Sequence, residues 1–157
     1  MAARVWVASE DDAESVSALM AAFRDHMGRK EPADDRIRAT VELLLRDPAT
    51  EFLLASADGR DRPGGVCQLR YRLTVWTGSD DCWLEDLFVE SDARRAGLGR
   101  ALVTAAVERA EQRGCRRMEL DVDEDNTGAL AFYRRLGLST ESKPPGRNLL
   151  VGRRLGN

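Results

Sequence analysis

Apolar residues recur along this chain with two periods, and the changes of period mark its elements. Val16, Leu19, Met20 and Phe23 fall at helical spacing behind Ser9 and Asp12. That Ser-x-x-Asp opening offers reciprocal caps, and the pattern predicts a helix running to about residue 26. Residues 28–32 break it. A second helix opens at Asp34 or Asp35, carries Ile37, Val41, Leu44 and Leu45 on one stripe, and stops at Asp47-Pro48, because a residue before proline avoids helical angles. Residues 52–57 read as a short buried strand, 58–65 as a turn and 66–76 as its long partner, an antiparallel hairpin. After a turn at 77–81, a strand at 82–89 leads towards the clearest helix, 97–113. Leu98, Ala101, Leu102, Ala105 and Ala106 line one face of that helix, and Gly114 ends it. A strand at 118–122, a helix at 127–136 and two final strands at 138–142 and 149–155 complete the order. The pattern shows no repeat and no second domain. It implies one domain over residues 1–157, built as a mixed α/β sheet.

Composition removes several function classes. At 157 residues the chain can bury a core without disulfide or metal staples. No apolar run is long enough to span a membrane, and the first residues lack the basic-then-apolar layout of a secretory leader. A cytoplasmic protein without a membrane partner is expected. Cys67, Cys82 and Cys115 are odd in number and not clustered with histidine, which predicts free thiols and no metal. The net charge of −3 argues against nucleic acid, although Arg94, Arg95 and Arg100 concentrate positive charge in one place. That local pattern suits one small polyanion.

The arginines belong to the run Asp92-Ala93-Arg94-Arg95-Ala96-Gly97-Leu98-Gly99-Arg100, which lies between a predicted strand and a predicted helix. The first amides of a helix have no intrahelical acceptor and sit at the positive end of its dipole, so they can hold an oligophosphate by main chain alone. Gly97 and Gly99 let that backbone come close. A second block, Asn126-Thr127-Gly128-Ala129-Leu130-Ala131-Phe132-Tyr133-Arg134-Arg135-Leu136-Gly137-Leu138, follows the strand at 118–122.

Together the two blocks resemble the GNAT superfamily of acetyl-CoA-dependent N-acetyltransferases. Its phosphate motif falls on Arg94, Gly97 and Gly99, and its later signature on Asn126, Ala129, Phe132, Tyr133 and Gly137. Leu138 departs from the usual phenylalanine, an exchange between apolar residues. The resemblance is specific over residues 83–138. It implies a mostly antiparallel sheet with splayed central strands, flanked by helices, and acetyl-CoA as cosubstrate. The pantetheine arm would pair with the backbone of Leu87, Phe88 and Val89. The turn Arg94, Arg95, Ala96, Gly97, Leu98, Gly99 and Arg100 would hold the phosphates.

The block Leu84-Glu85-Asp86 is similar to that of the polyamine-acetylating branch, where the glutamate is the proposed base acting through water. Glu85 either takes that role or, with Asp86, binds a cationic acceptor; strand alternation sets the two on opposite faces. Tyr133 matches the family's general acid, and it either protonates the departing thiolate or packs as an aromatic. Asn126 is a helix N-cap, a cofactor contact, or both. His26 stands where a helix C-terminus favours histidine in any case.

The acceptor residues are drawn from Phe23, His26, Glu31, Asp34, Asp35, Tyr71, Trp76 and Trp83, a set suited to an amine on a small molecule or a peptide. The resemblance is compatible with a homodimer. A non-catalytic acyl-CoA sensor is the alternative, and a sensor would need neither Glu85 nor Tyr133.

Overall fold

Ser9 opens the chain's first helix as expected: its amide donates to Asp12 Oδ2 at 2.9 Å across a short 3-10 turn, Glu10–Asp12. The computed structural model describes residues 2–141 and 149–156. Helix α1 (Ala13–His26) and helix α2 (Asp34–Arg46) keep nearly the bounds their periodicity implies. Both lay their apolar stripes on one face of a sheet, where Val16, Leu19, Ile37 and Val41 meet Phe52, Leu54, Val66 and Phe88.

The sheet has five strands in sequential order: β1 (Arg4–Val7), β2 (Thr50–Ser56), β3 (Gly65–Thr74), β4 (Ser79–Val89) and β5 (Met118–Glu119). The first four pair antiparallel, and β5 joins β4 in parallel. Helix α3 (Leu98–Gln112) covers the other face with Leu98, Leu102, Val103, Ala106 and Ala110, all buried. This is the mixed, mostly antiparallel α/β architecture that the motifs imply. The chain falls into two compact units, Met1–Asp121 and Val122–Asn157. All five strands lie in the first, and helix α4 (Thr127–Arg135) in the second.

Four expectations need correction. Strand β1 escaped notice because four residues are too few to display a period; it exists through its antiparallel partner β2. The β3–β4 turn falls at residues 75–78, earlier than the aspartates suggested. Asp80 and Asp81 look like turn formers but are held in the strand by Arg113 at 3.0 Å and Arg117 at 2.6 Å. Gly78, at φ +66°, makes the tight return. β5 is two residues long, since the acidic run that follows it has little β preference. Finally, residues 138–141 and 149–155 form no strand, and residue 142 lies outside the described residues. Leu149, Leu150, Val151 and Leu155 are exposed there and join no ladder.

Candidate active site

Beyond β4 the chain makes a 3-10 turn, Ser91–Ala96, and enters α3 through Gly97 at φ +74°. The amide of Ala101 donates to Gly97 O at 3.1 Å, so those of Leu98, Gly99 and Arg100 come before the first intrahelical bond, at the positive end of a four-turn dipole. Leu98 anchors this corner: its side chain is fully buried, and only its main chain can serve a ligand. Ala96 and Arg100 are exposed, and Arg95 lies within the turn. Arg94 reaches back, its Nε donating to Val89 O at 3.2 Å and a terminal nitrogen standing 3.4 Å from His26 Nε2. Gly64, not singled out from sequence, supports the corner from the position just before β3. Its amide donates to Ala55 O, its carbonyl accepts from Glu90, and a Cβ there would lie 2.9 Å from Ala93 Cβ.

The edge of β4 is open above its first half. On one side β3 pairs with it from Ser79 to Val89; on the other, β5 reaches only Cys82 and Trp83. Over residues 84–89 that second side carries no ladder partner among the described residues. Unpaired strand amides and carbonyls are a template for one further extended chain. The backbone expected to meet a pantetheine arm, that of Leu87, Phe88 and Val89, lies on this stretch, with the Val89 carbonyl already accepting from Arg94 Nε at 3.2 Å. The Phe88 side chain is committed to the core, 5.2 Å from the ring of Phe23.

A bulge interrupts the same strand. Gln68 faces Asp86, yet its neighbour Leu69 faces Leu84, so Glu85 is the extra residue. Glu85 is exposed, whereas Asp86 is turned with Gln68 into a cavity of about 280 Å³ under α1, α2 and the loop between them. Burial pushes the Asp86 carboxyl above its usual range, and the charges of Glu85 and Asp121 add to the shift. Asp86 makes no hydrogen bond or ion pair among the described residues. The cavity walls are largely apolar, and Arg24, Arg29 and Glu31 stand on its helix side.

Of the expected acceptor residues, Phe23 and Glu31 line this cavity. His26 sits beside it, 5.8 Å from Phe88, and Asp34 binds Arg24 at 2.7 Å. Asp35 accepts from the Arg36 amide. Tyr71 donates to Glu51 under Arg113, Trp83 lies beneath Arg72, and Trp76 is 89% exposed in the β3–β4 turn; none of these three lines the cavity. Sequence reasoning missed Gln68, whose signal was a lone amide inside the apolar run Val66–Leu69, and it set Asp86 behind Glu85.

In the second unit Asn126 caps α4, its Oδ1 accepting from the Ala129 amide at 3.1 Å. Tyr133 is 8% exposed and meets Phe132 edge-on at 5.1 Å. Cys67, Cys82 and Cys115 are free, and burial raises all three thiols, Cys82 to about 12. No group of His, Cys, Asp and Glu among the described residues could hold a metal ion.

The chain is similar to known proteins. An N-acetyltransferase of Methanocaldococcus jannaschii, itself uncharacterised, is 40% identical over 106 residues, covering 60% of this chain and 47% of its own. This chain thus spans about half the length of that relative. Thialysine N-epsilon-acetyltransferase of Bos taurus is 28% identical over 143 residues, 83% of this chain and 80% of its own. Among solved structures, a provisionally assigned acetyltransferase of Arthrobacter sp. FB24 superimposes with a TM-score of 0.85 at 28% identity, over 97% of this chain and 96% of that one. The model of the acetyltransferase (GNAT) family matches residues 14–138, which include the glycine turn, the bulged strand and α4, and the chain belongs to that family.

Proposed function

We propose that this chain is, as one domain, an N-acetyltransferase that moves an acetyl group from acetyl-CoA to an amine in a ternary complex. The observation that carries the reading is the open edge of β4 running directly into the free amides of α3. One extended thioester with a phosphate tail needs those two features in that order. The family match and the amine acceptor named for the bovine relative support it. Asp86 and Gln68 hold the acceptor. Its ammonium, with a pKa of roughly 10, must lose a proton, and Glu85 on the water side of the bulge takes that proton through water. The amine nitrogen bonds to the acetyl carbon, the C–S bond breaks as the adduct collapses, Tyr133 gives its proton to the leaving thiolate, and the nitrogen's second proton returns to the Tyr133 phenolate, leaving a neutral amide and free CoA thiol. A sensor without turnover would have no use for either group.

Calorimetry with CoA tests the reading. Gly97→Ala isolates the backbone cost of a side chain at φ +74°, about 1–2 kcal/mol of stability. Gly97→Glu adds a negative charge at the amides and is expected to abolish CoA binding beyond the alanine effect. CoA affinity equal in the two variants contradicts the assignment. Free thiols and use of acetyl-CoA fit a cytoplasmic protein. A homodimer, compatible with the family, finds an apolar surface at the β3–β4 turn, where Leu73, Val75 and Trp76 are exposed.

A further inference from the structure

The cavity under α1 and α2 has polar groups on its sheet side, charged groups on its helix side and apolar walls besides. On the sheet stand Asp86 and Gln68, opposite each other across the β3–β4 ladder. Gln68 is 5% exposed, and neither its side-chain amide nor the Asp86 carboxyl has a hydrogen-bond partner among the described residues. Such groups cost stability until a ligand serves them, and one ammonium can donate to both. Phe23, Ile37, Val41, Leu44 and Phe52 supply walls that suit hydrocarbon. On the helix side the lining includes Arg24, Arg29 and Glu31. Arg24 is already answered, by Asp25 at 2.9 Å and Asp34 at 2.7 Å. Arg29 and Glu31 are not: both are exposed, and neither side chain forms an ion pair or hydrogen bond among the described residues. The cavity thus presents two carboxylates, Asp86 and Glu31, and one free guanidinium, Arg29. A plain diamine would answer both carboxylates and leave Arg29 beside a cation, and a simple amine would leave Arg29 and Glu31 to water. A zwitterionic head answers both, since they carry opposite charges two residues apart on one loop.

From this arrangement we infer that the acceptor is a free α-amino acid with a terminal amine on its side chain, of the lysine or ornithine type: its side-chain nitrogen on Asp86 and Gln68, its methylenes among the apolar walls, its α-carboxylate on Arg29 and its α-ammonium on Glu31. The inference rests on the acetyl-transfer reading above, and a cavity of about 280 Å³ suits a molecule of that size. It also fixes which nitrogen reacts. Asp86 belongs to the open stretch of β4, so the side-chain nitrogen is the one presented to the thioester. That nitrogen exchanges one N–H for the acetyl group, and CoA leaves as the thiol.

Three probes that differ by single groups test this. L-Lysine carries both ammonium groups and the carboxylate, 1,5-diaminopentane lacks the carboxylate, and 6-aminohexanoate lacks the α-ammonium. Each is titrated by calorimetry into the full chain saturated with CoA, where no transfer can occur. Each is then offered with acetyl-CoA while free thiol and the position of the acetyl group are followed. Lysine is expected to bind at least about threefold more tightly than either of the others, the scale of one exposed ion pair. Arg29→Gln is expected to bring lysine within about twofold of the diamine, and Glu31→Gln to bring it within about twofold of 6-aminohexanoate. Both positions are exposed, so neither change disturbs the core. The acetyl group is expected on the side-chain nitrogen, although the α-amine is the weaker base and more of it is unprotonated at neutral pH. A diamine or an aminohexanoate that binds as well as lysine overturns the inference, as does a preference unmoved by either substitution or an acetyl group on the α-nitrogen. If lysine releases no thiol while another amine is acetylated, the inference alone fails; if no amine is acetylated by a protein that binds CoA, acetyl transfer itself fails.

Discussion

Glu85 and Asp86 are adjacent, chemically alike and differently placed, and the difference comes from a single inserted residue. The bulge leaves Glu85 in water and turns Asp86 into an apolar cavity. If Glu85 removes the acceptor's proton, Glu85→Gln loses most activity at low pH, where the amine is most protonated, and recovers as pH rises; a loss equal at every pH points to binding instead. Asp86 carries a cost of its own. Its folded-state pKa lies above the unfolded value, so the folded chain holds this proton more tightly, and stability falls as pH rises through the folded pKa. Asp86→Asn is therefore expected to melt higher than the parent at neutral pH, with the two converging below the ordinary carboxylate range; a lower melting temperature at neutral pH would contradict the burial argument. Tyr133→Phe removes one hydroxyl. A general acid lost in this way costs roughly 10²–10⁴-fold in kcat with little change in CoA affinity, whereas wild-type kcat ends the assignment.

Most of the elements were legible because they follow from period and punctuation alone. α1, α2, α3 and α4 each carry an apolar stripe between a cap and a breaker, and their observed ends lie within a residue or two of expectation. Features that depend on a partner far along the chain were not legible. β1 exists through β2, Asp80 and Asp81 stay in their strand through arginines more than thirty residues away, and the bulge at Glu85 arises only where β4 is laid against β3. The two phosphate-turn glycines announced themselves, while Gly64, which lets that turn sit close, looked like part of an ordinary loop. Gly64→Ala tests this second-hand role: its Cβ would meet Ala93 Cβ at 2.9 Å, so the turn must shift. Weaker CoA binding by severalfold is expected from a residue that touches no ligand, and unchanged affinity would show that the turn tolerates the displacement.

Across the whole molecule, the chemistry concentrates where irregular backbone meets a regular sheet: an open strand edge, one bulge, and a glycine that reverses the chain into a helix. None of these needs an unusual composition, which is why bulk properties bounded the protein but did not identify it, and why two short motifs in the right order did. The candidate site was half visible in the sequence. Its proposed cofactor side is main chain and follows a pattern of glycines, whereas its proposed acceptor side is a cavity assembled from α1, α2 and three strands, whose lining no local pattern announces. The most direct test of the account is product analysis by mass spectrometry after incubation of the purified chain with acetyl-CoA and a panel of primary amines. The account predicts one N-acetylated amine per free CoA thiol released, with Gly97→Glu inactive. CoA that binds while no amine in the panel gains an acetyl group would contradict it.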